Sequence, residues 1–423
     1  MIIGNMVTAA INKRPTPLLV DLDVKIRQRD LIETLYDFGV TCSYDEYLRF
    51  IASAASSAAT DKGLRGISDH SSGLIQVIAD NFDTDISSQN RLQSTHSLAV
   101  LTTQKNKSTP DDSDPVQTIR RLREEEMKTE VEADVPIVHF QGPKKPAMPQ
   151  MNAKRVVPPL RVLAQQRILV QRANQLDFKF LECVINDPKV PECFNTKMSR
   201  EENHSLKPGT SVAYTPLIDM VPSDPTTIMT AMFEARQITK QTGQPITVCT
   251  AYQQLYRVAV NVVWMYPEFS DDFVLGLGGM HTLMSFVGSV GTLMGNSGLE
   301  EVLKAAFGGV TRMLTGKNFP QNTRALRMVV EELLRPIIAK AETHDDLMST
   351  LEKEAPKSRT AKLWLDNLIK PVLIMMMYLR AEREAEWSLY LWAVEQMIPY
   401  FFAAGHVNYA RYGLLSALNA STS

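Results

Sequence analysis

The sequence predicts an α/β fold that is helix-rich overall, and three observations predict it. Residues 246–294 alternate short apolar runs with stretches of helical periodicity. Two further strand-like runs lie upstream, at 74–80 and 97–103. Beyond Ser297 the apolar residues recur almost throughout at helical spacing. A strand–helix–strand–helix unit belongs to a parallel sheet, whose ligands gather at the carboxyl ends of its strands.

Residues 1–65 form an N-terminal helical region. Leu31, Ile32, Leu35 and Tyr36 make one stripe. Ser43 and Glu46 then form a capping box that starts the helix carrying Leu48, Ile51 and Ala55. Residues 66–104 hold the first strands of the core. LIQVIAD at 74–80 alternates as a strand should, SLAVLTT at 97–103 follows, and the polar SSQN separates them as a turn.

Residues 105–211 read as a charged linker and insertion. STPDDSDP, RRLREEEMKTEVEAD and GPKKPAMPQ are too polar and proline-rich to bury a core, so residues 105–150 are predicted to be exposed. Residues 160–185 have helical periodicity, and residues 188–222 return to irregular polar sequence.

Residues 212–299 complete the core. Ile246–Thr250 is a β-branched strand, Gln253–Met265 a helix, and Phe273–Leu277 a second strand that ends in Gly278 and Gly279. From His281 onward Leu283, Met284, Phe286, Val287, Val290, Leu293 and Met294 predict a buried helix. Its Gly288, Gly291, Ser285 and Ser289 would let another element approach closely. Residues 300–423 form a C-terminal helical region. Ser297 and Glu300 make a second capping box, Asn322 is the expected N-cap of the next long helix, and two more helices occupy 358–380 and 382–403.

A formal charge of −2 over 423 residues argues against a surface coated for nucleic acid. The four cysteines are too few for a disulfide framework, and Cys183, Cys193 and His204 lack zinc-ligand spacing. MIIGNMVTAAINKRP has no secretory core. Val372–Leu379 is apolar but far short of the roughly 20 residues that span a bilayer. These features predict an intracellular protein, nuclear or cytoplasmic, with no membrane partner.

The candidate chemistry begins with Asp80, which closes the run LIQVIAD, followed by Asp83 and Asp85. A carboxylate at a strand end suits Mg²⁺, although aspartates also cluster in turns to bond the local backbone. His281 stands near a helix N-terminus, where it would contact an anion or a metal, or cap the helix. The GLGG run does not meet the dinucleotide fingerprint, and there is no P-loop, zincin or GxSxG motif. Trp364, Tyr378, Trp387, Tyr390 and Trp392 lie among Met and Leu at helical spacing and read as core.

Several islands resemble a family of uncharacterised transposon-derived animal proteins related to the DDE transposases. They are DLIETLYDFGV at 30–40 with SYDEYLRF after it, ADNFD at 79–83, STHSLAV at 94–100 and TIRRL at 118–122. TAYQQLY at 250–256, LGGMHTLMSFVGSVGTLMGNSGL at 277–299 and GHVNYARY at 405–412 continue the series. The resemblance implies an RNase H-like core in which three carboxylates hold two metal ions for phosphodiester chemistry. It implies that the first acid ends strand one, the second follows strand four, and the third lies on a later helix. Carried over, the first acid is Asp80, with Asp83 as the alternative. The second position holds Tyr252, and a phenol that titrates near pH 10 is a poor Mg²⁺ ligand. The third acid, expected beyond the NYARY island, is absent, because the chain continues as GLLSALNASTS. The expectation is a degenerate, inactive transposase core that needs no cofactor, with Mg²⁺ or Mn²⁺ required for any activity that remains. DNA is the candidate partner. The alternatives are a domesticated DNA- or protein-binding module and an active metal-dependent strand transferase.

Overall fold

The computed structural model describes residues 29–39, 41–61, 64, 66–85, 94–105, 120–128, 135–143, 160–186, 210–269 and 271–420. The architecture is helix-rich α/β, with a five-stranded mixed sheet flanked by helices. The described strands are β1 (Ile75–Asp85), β2 (Ser94–Lys105), β3 (Thr210–Tyr214), β4 (Thr247–Ala251) and β5 (Phe273–Leu277), in the order β3-β2-β1-β4-β5. The chain divides into two compact units, Met1–His139 with Pro208–Thr247, and Phe140–Lys207 with Val248–Ser423.

In the first unit, α1 (Arg29–Asp37) and α2 (Tyr44–Asp61) form the N-terminal pair around Ile32, Cys42 and Tyr47. Half of the first capping box forms: the Ser43 hydroxyl accepts from the Glu46 N–H at 3.3 Å, while the Glu46 carboxylate turns to Arg49 and Arg121. Parts of the 105–150 segment are docked rather than free. Arg121 grips the Glu46 carboxylate with two bonds of 2.8 and 2.6 Å, and Leu122 N–H donates to Ser53 Oγ. Val138 N–H donates to Thr230 on α3 (Pro225–Gln241), a helix capped by Asp224. The expected SSQN turn lies outside the described residues.

Strand β1 is longer than the sequence pattern indicates. Antiparallel pairing to β2 runs from Ile75 opposite Gln104 to Asp85 opposite Ser94, so Asp80 is mid-strand, opposite Ala99. Ile75, Val77 and Ala79 are buried, but Asp80, Asn81 and Phe82 are all exposed. Backbone pairing therefore runs on through exposed residues, where side-chain alternation gives no signal. Strand β3 also corrects the irregular reading of 188–222. Only Ala213 of its five residues is buried, which leaves almost no apolar signal.

Two buried amides secure this unit. Gln104 accepts from Ser68 N–H at 2.7 Å and donates to the carbonyls of Ser68, Asp69 and Gly73. Gln244 accepts from Ile75 N–H and donates to Ile75 C=O, both at 2.9 Å, so its side chain serves β1 as a short strand would. Gln244→Ala is expected to strand both groups of Ile75 and to destabilise by about 1–3 kcal/mol. Urea unfolding of the variant checks this.

The second unit holds the long helix α4 (Leu160–Asn186), then β4, α5 (Gln253–Met265), β5 and α6 (Gly279–Leu293). The short helices α7 (Leu299–Lys304) and α8 (Val310–Leu314) precede α9 (Phe319–Ile338) and α10 (His344–Glu354). One rod follows, composed of α11 (Arg359–Trp364), a π turn at Leu365–Ile369 and α12 (Lys370–Glu384). It breaks at Ala385, whose φ of 55° is left-handed. The last two helices are α13 (Trp387–Ala403) and α14 (Val407–Ala420). Among the described residues no helix is long and apolar enough to cross a membrane.

Two capping assignments are corrected. Gly298, not Ser297, occupies the N-cap of α7, and Glu300 bonds Lys304 and Thr311 instead of completing a box. Asn322 lies inside α9, buried, and donates to the Met313 carbonyl, while Asn318 is the N-cap. A polar residue three positions from a glutamate, or ahead of an apolar stripe, satisfies the local pattern but does not say where the chain turns.

The buried helix at 281–294 forms as read, starting two residues earlier. A Cβ on Gly291 would collide with the Leu314 carbonyl, and one on Gly288 would lie 3.2 Å from the Thr315 carbonyl oxygen. Gly316, at φ 83°, returns the contact against Met284. The obstructing atoms are backbone, so they cannot rotate away. Gly291→Ala should therefore overpack the contact and cost about 1–3 kcal/mol despite the higher helix propensity of alanine. A denaturation midpoint equal to that of the parent would contradict this packing.

Candidate functional site

The carboxyl ends of β4 and β5 meet in the second unit. Gly278 N–H donates to the Ala251 carbonyl at 2.8 Å, and a Cβ on Gly278 would lie 3.7 Å from Tyr252 Cα. The latter is ordinary van der Waals contact, so the hydrogen bond rather than a missing side chain holds the two turns together here. Tyr252 is the N-cap residue of α5, and His281 stands in the first turn of α6. Their rings approach to 5.7 Å between centroids, tilted by 48°. Two of the residues singled out from sequence are thus brought together.

The two aspartates belong to the first unit. Asp80 is exposed, and its Oδ1 accepts from the adjacent Asn81 N–H at 2.9 Å. Asp83 lies opposite His96 in the β1–β2 ladder. Among the described residues no group of three or more His, Cys, Asp or Glu side chains could hold a metal ion. The donor set does not fit a two-metal centre: Asp80 Oδ1 accepts from the next strand residue's N–H, and position 252 supplies a phenol where such a centre needs a shared carboxylate.

A pocket of about 340 Å³ opens beside the Tyr252–His281 pair in sequence, lined by Gln253, Ser285, His406, Val407, Asn408 and Tyr409. Gln253 begins α5, and Ser285 lies one helical turn beyond His281. His406 Nδ1 is 2.7 Å from Ser285 Oγ and 3.2 Å from Ser289 Oγ. A hydroxyl beside an imidazole resembles a nucleophile with its base, but such a base is oriented by a third group. Among the described residues no carboxylate bonds His406. The two serines share the same ring nitrogen, so the contact acts as a lock that holds the start of α14 on α6. Sequence reading placed His406 in the GHVNYARY island and left it without a role. Gly405, at φ 78° between two helices, was the available signal that the chain turns back there.

A polar cluster lies at the other side of the α6 start. Tyr378 donates to the Gly279 carbonyl at 3.1 Å, and Glu382 Oε1 occupies the space that a Cβ on Gly279 would need. Much of Glu382 is exposed, yet its carboxylate end turns in against this backbone. Burial raises the Glu382 carboxyl above its ordinary 4.5, outweighing the Tyr378 hydrogen bond and the Arg383 charge, which lower it. Burial likewise pushes the Tyr390 phenol up to about 12. A raised carboxyl stabilises the fold below its unfolded value and loses that contribution as pH rises through the folded value. Glu382→Gln should therefore flatten the fall in stability above about pH 4.5, as read by thermal unfolding across a pH series. An unchanged profile would place this carboxyl in water.

No curated protein and no solved structure matches the chain. One family pattern does, in two overlapping segments at residues 193–357 and 340–419, which together cover more than half of the sequence. They take in β4, β5, the Tyr252–His281 pair, the glycine contact of α6 and the His406 lock. The chain belongs to the family described as a domain of unknown function, DUF8702.

Proposed function

We propose that this protein derives from a transposable element and carries a degenerate RNase H-like core that no longer cleaves or joins DNA. One observation carries the reading: the strand order β3-β2-β1-β4-β5, with helices following β3, β4 and β5 in the chain. That order makes the first and fourth strands neighbours, as a core with one acid on strand one and another after strand four requires. Asp80 in the first strand and Tyr252 directly after the fourth match those two positions in chain order. The phenol at the second position supports loss of the chemistry, because it neither carries charge near neutral pH nor bridges two ions.

A second reading, a protein-binding module, is favoured by the far half of the β1–β2 hairpin, where Asp80, Asn81 and Phe82 are all exposed. Phe82 is 44% exposed there, as a contact residue would be.

A strand-cleavage and strand-transfer assay with Mg²⁺ or Mn²⁺ tests the first reading. The parent chain is expected to be inactive, and Tyr252→Asp to bind the metal more tightly while remaining inactive. Cleavage by the parent chain that disappears in Asp80→Asn would overturn the proposal in favour of an active transferase.

A further inference from the structure

One cavity of the second unit is lined largely by hydrogen-bonding groups. At about 340 Å³ it lies at the small end of the range for ligand sites. Gln253 of α5, Ser285 of α6, and His406, Asn408 and Tyr409 at the start of α14 line it, and among the described residues no acidic side chain does. Burial pushes the Tyr409 phenol up to about 12, so it stays protonated and keeps a hydroxyl to donate.

His406 gives the cavity its chemical preference. Ser289 Oγ donates its own proton to the Ser285 carbonyl at 3.0 Å, so toward the imidazole it can only accept. Nδ1, 3.2 Å away, therefore carries the ring proton, and Ser285 Oγ at 2.7 Å shares it. The other nitrogen of the neutral ring, Nε2, is then a bare base, and among the described residues no hydrogen bond reaches it. A ligand that brings both a proton and negative charge suits this ring: Nε2 takes the proton, and the imidazolium faces the anion with no carboxylate to compete. Backbone donors add to the preference. The first intrahelical bond of α14 runs from Ala410 N–H to His406 C=O, and that of α5 from Tyr256 N–H to Tyr252 C=O. The N–H groups of Gln253, Asn408 and Tyr409 thus lie outside both ladders.

We infer that this cavity binds the phosphate of a small phosphomonoester, about the size of a nucleoside monophosphate. A phosphomonoester loses its second proton near pH 6. Its monoanion passes that proton to Nε2 and stays bound as the dianion, and no bond to phosphorus forms or breaks. Nδ1–H remains on the two serines throughout, so His406 holds α14 to α6 and the ligand at once. A phosphodiester, with one charge and no such proton, cannot make this exchange.

Isothermal titration calorimetry of the full chain tests this with four probes: inorganic phosphate, a nucleoside monophosphate, the uncharged nucleoside and a dinucleoside phosphodiester. The first two are expected to bind, and the nucleoside and the diester to bind about tenfold more weakly or worse. Asn408 is exposed, and an aspartate in the first turn of a helix is favourable, so Asn408→Asp should fold as the parent does. It should nevertheless weaken the monophosphate by about tenfold or more, since it sets a carboxylate against the phosphate. His406→Asn keeps a donor where Nδ1 meets the serines and has nothing at Nε2. It should lose affinity likewise, with an unfolding midpoint near that of the parent. A parent chain that binds none of the four probes at millimolar concentration overturns the inference. So does a nucleoside or diester that binds as well as the monophosphate, or full affinity in both variants.

Discussion

Helix α6 is met by backbone rather than by side chains at Gly288 and Gly291, and much of the second unit depends on that approach. The Leu314 carbonyl comes within a distance of Gly291 that no side chain there would allow, and the Thr315 carbonyl leaves only a tight fit at Gly288. Glycine inside a helix costs about 1 kcal/mol relative to alanine, and the close contact is what offsets it. Once α8 is seated there, the rest of α6 is free for other partners. Ser285 and Ser289 take the His406 ring, Phe286 packs edge-on against Tyr400 and Phe401, and the Gly279 carbonyl accepts from Tyr378. A single helix thus organises α8, α12, α13 and the start of α14.

Helices α4 and α12 are joined by a buried charge. Arg380 on α12 is 0% exposed and holds Asp177 of α4 through two bonds of 2.8 and 2.6 Å. Its third bond, 3.0 Å, goes to Glu384, which also meets Arg172 at 3.5 Å. Replacing such a group with apolar residues is often neutral, whereas removing one partner leaves a charge stranded and costs about 3–5 kcal/mol. The pair therefore specifies how α4 lies on α12 more than it adds stability. The apolar side chains around it fill space without fixing that register.

The proposed function rests on the contrast between the order of the strands and the donors that stand at their ends. The sheet order and the turns after β4 and β5 are those of a fold that gathers chemistry at its strand ends. At that place the second unit presents a phenol against an imidazole. Next to them in the chain lies a pocket lined by amides, hydroxyls and one histidine. Hydrogen-bonding groups of this kind suit a polar ligand, whereas catalysis by paired Mg²⁺ ions calls for carboxylates.

Much of the second unit was legible in the sequence, because its elements are set by local periodicity. Strand β5 and helix α5 fall where the apolar runs place them, β4 and α6 within two residues, and Gly288 and Gly291 announced a close approach. The substitution at position 252 was likewise readable from sequence alone. Tertiary structure decided what depends on a distant partner. The outer half of β1 is a strand because β2 lies beside it, and β3 exists because β2 offers an edge. Asn322 became a buried donor because the Met313 carbonyl faces it, and His406 acquired its role from serines more than a hundred residues away. Periodicity along a chain records which face is buried, but it does not record which backbone group will stand opposite.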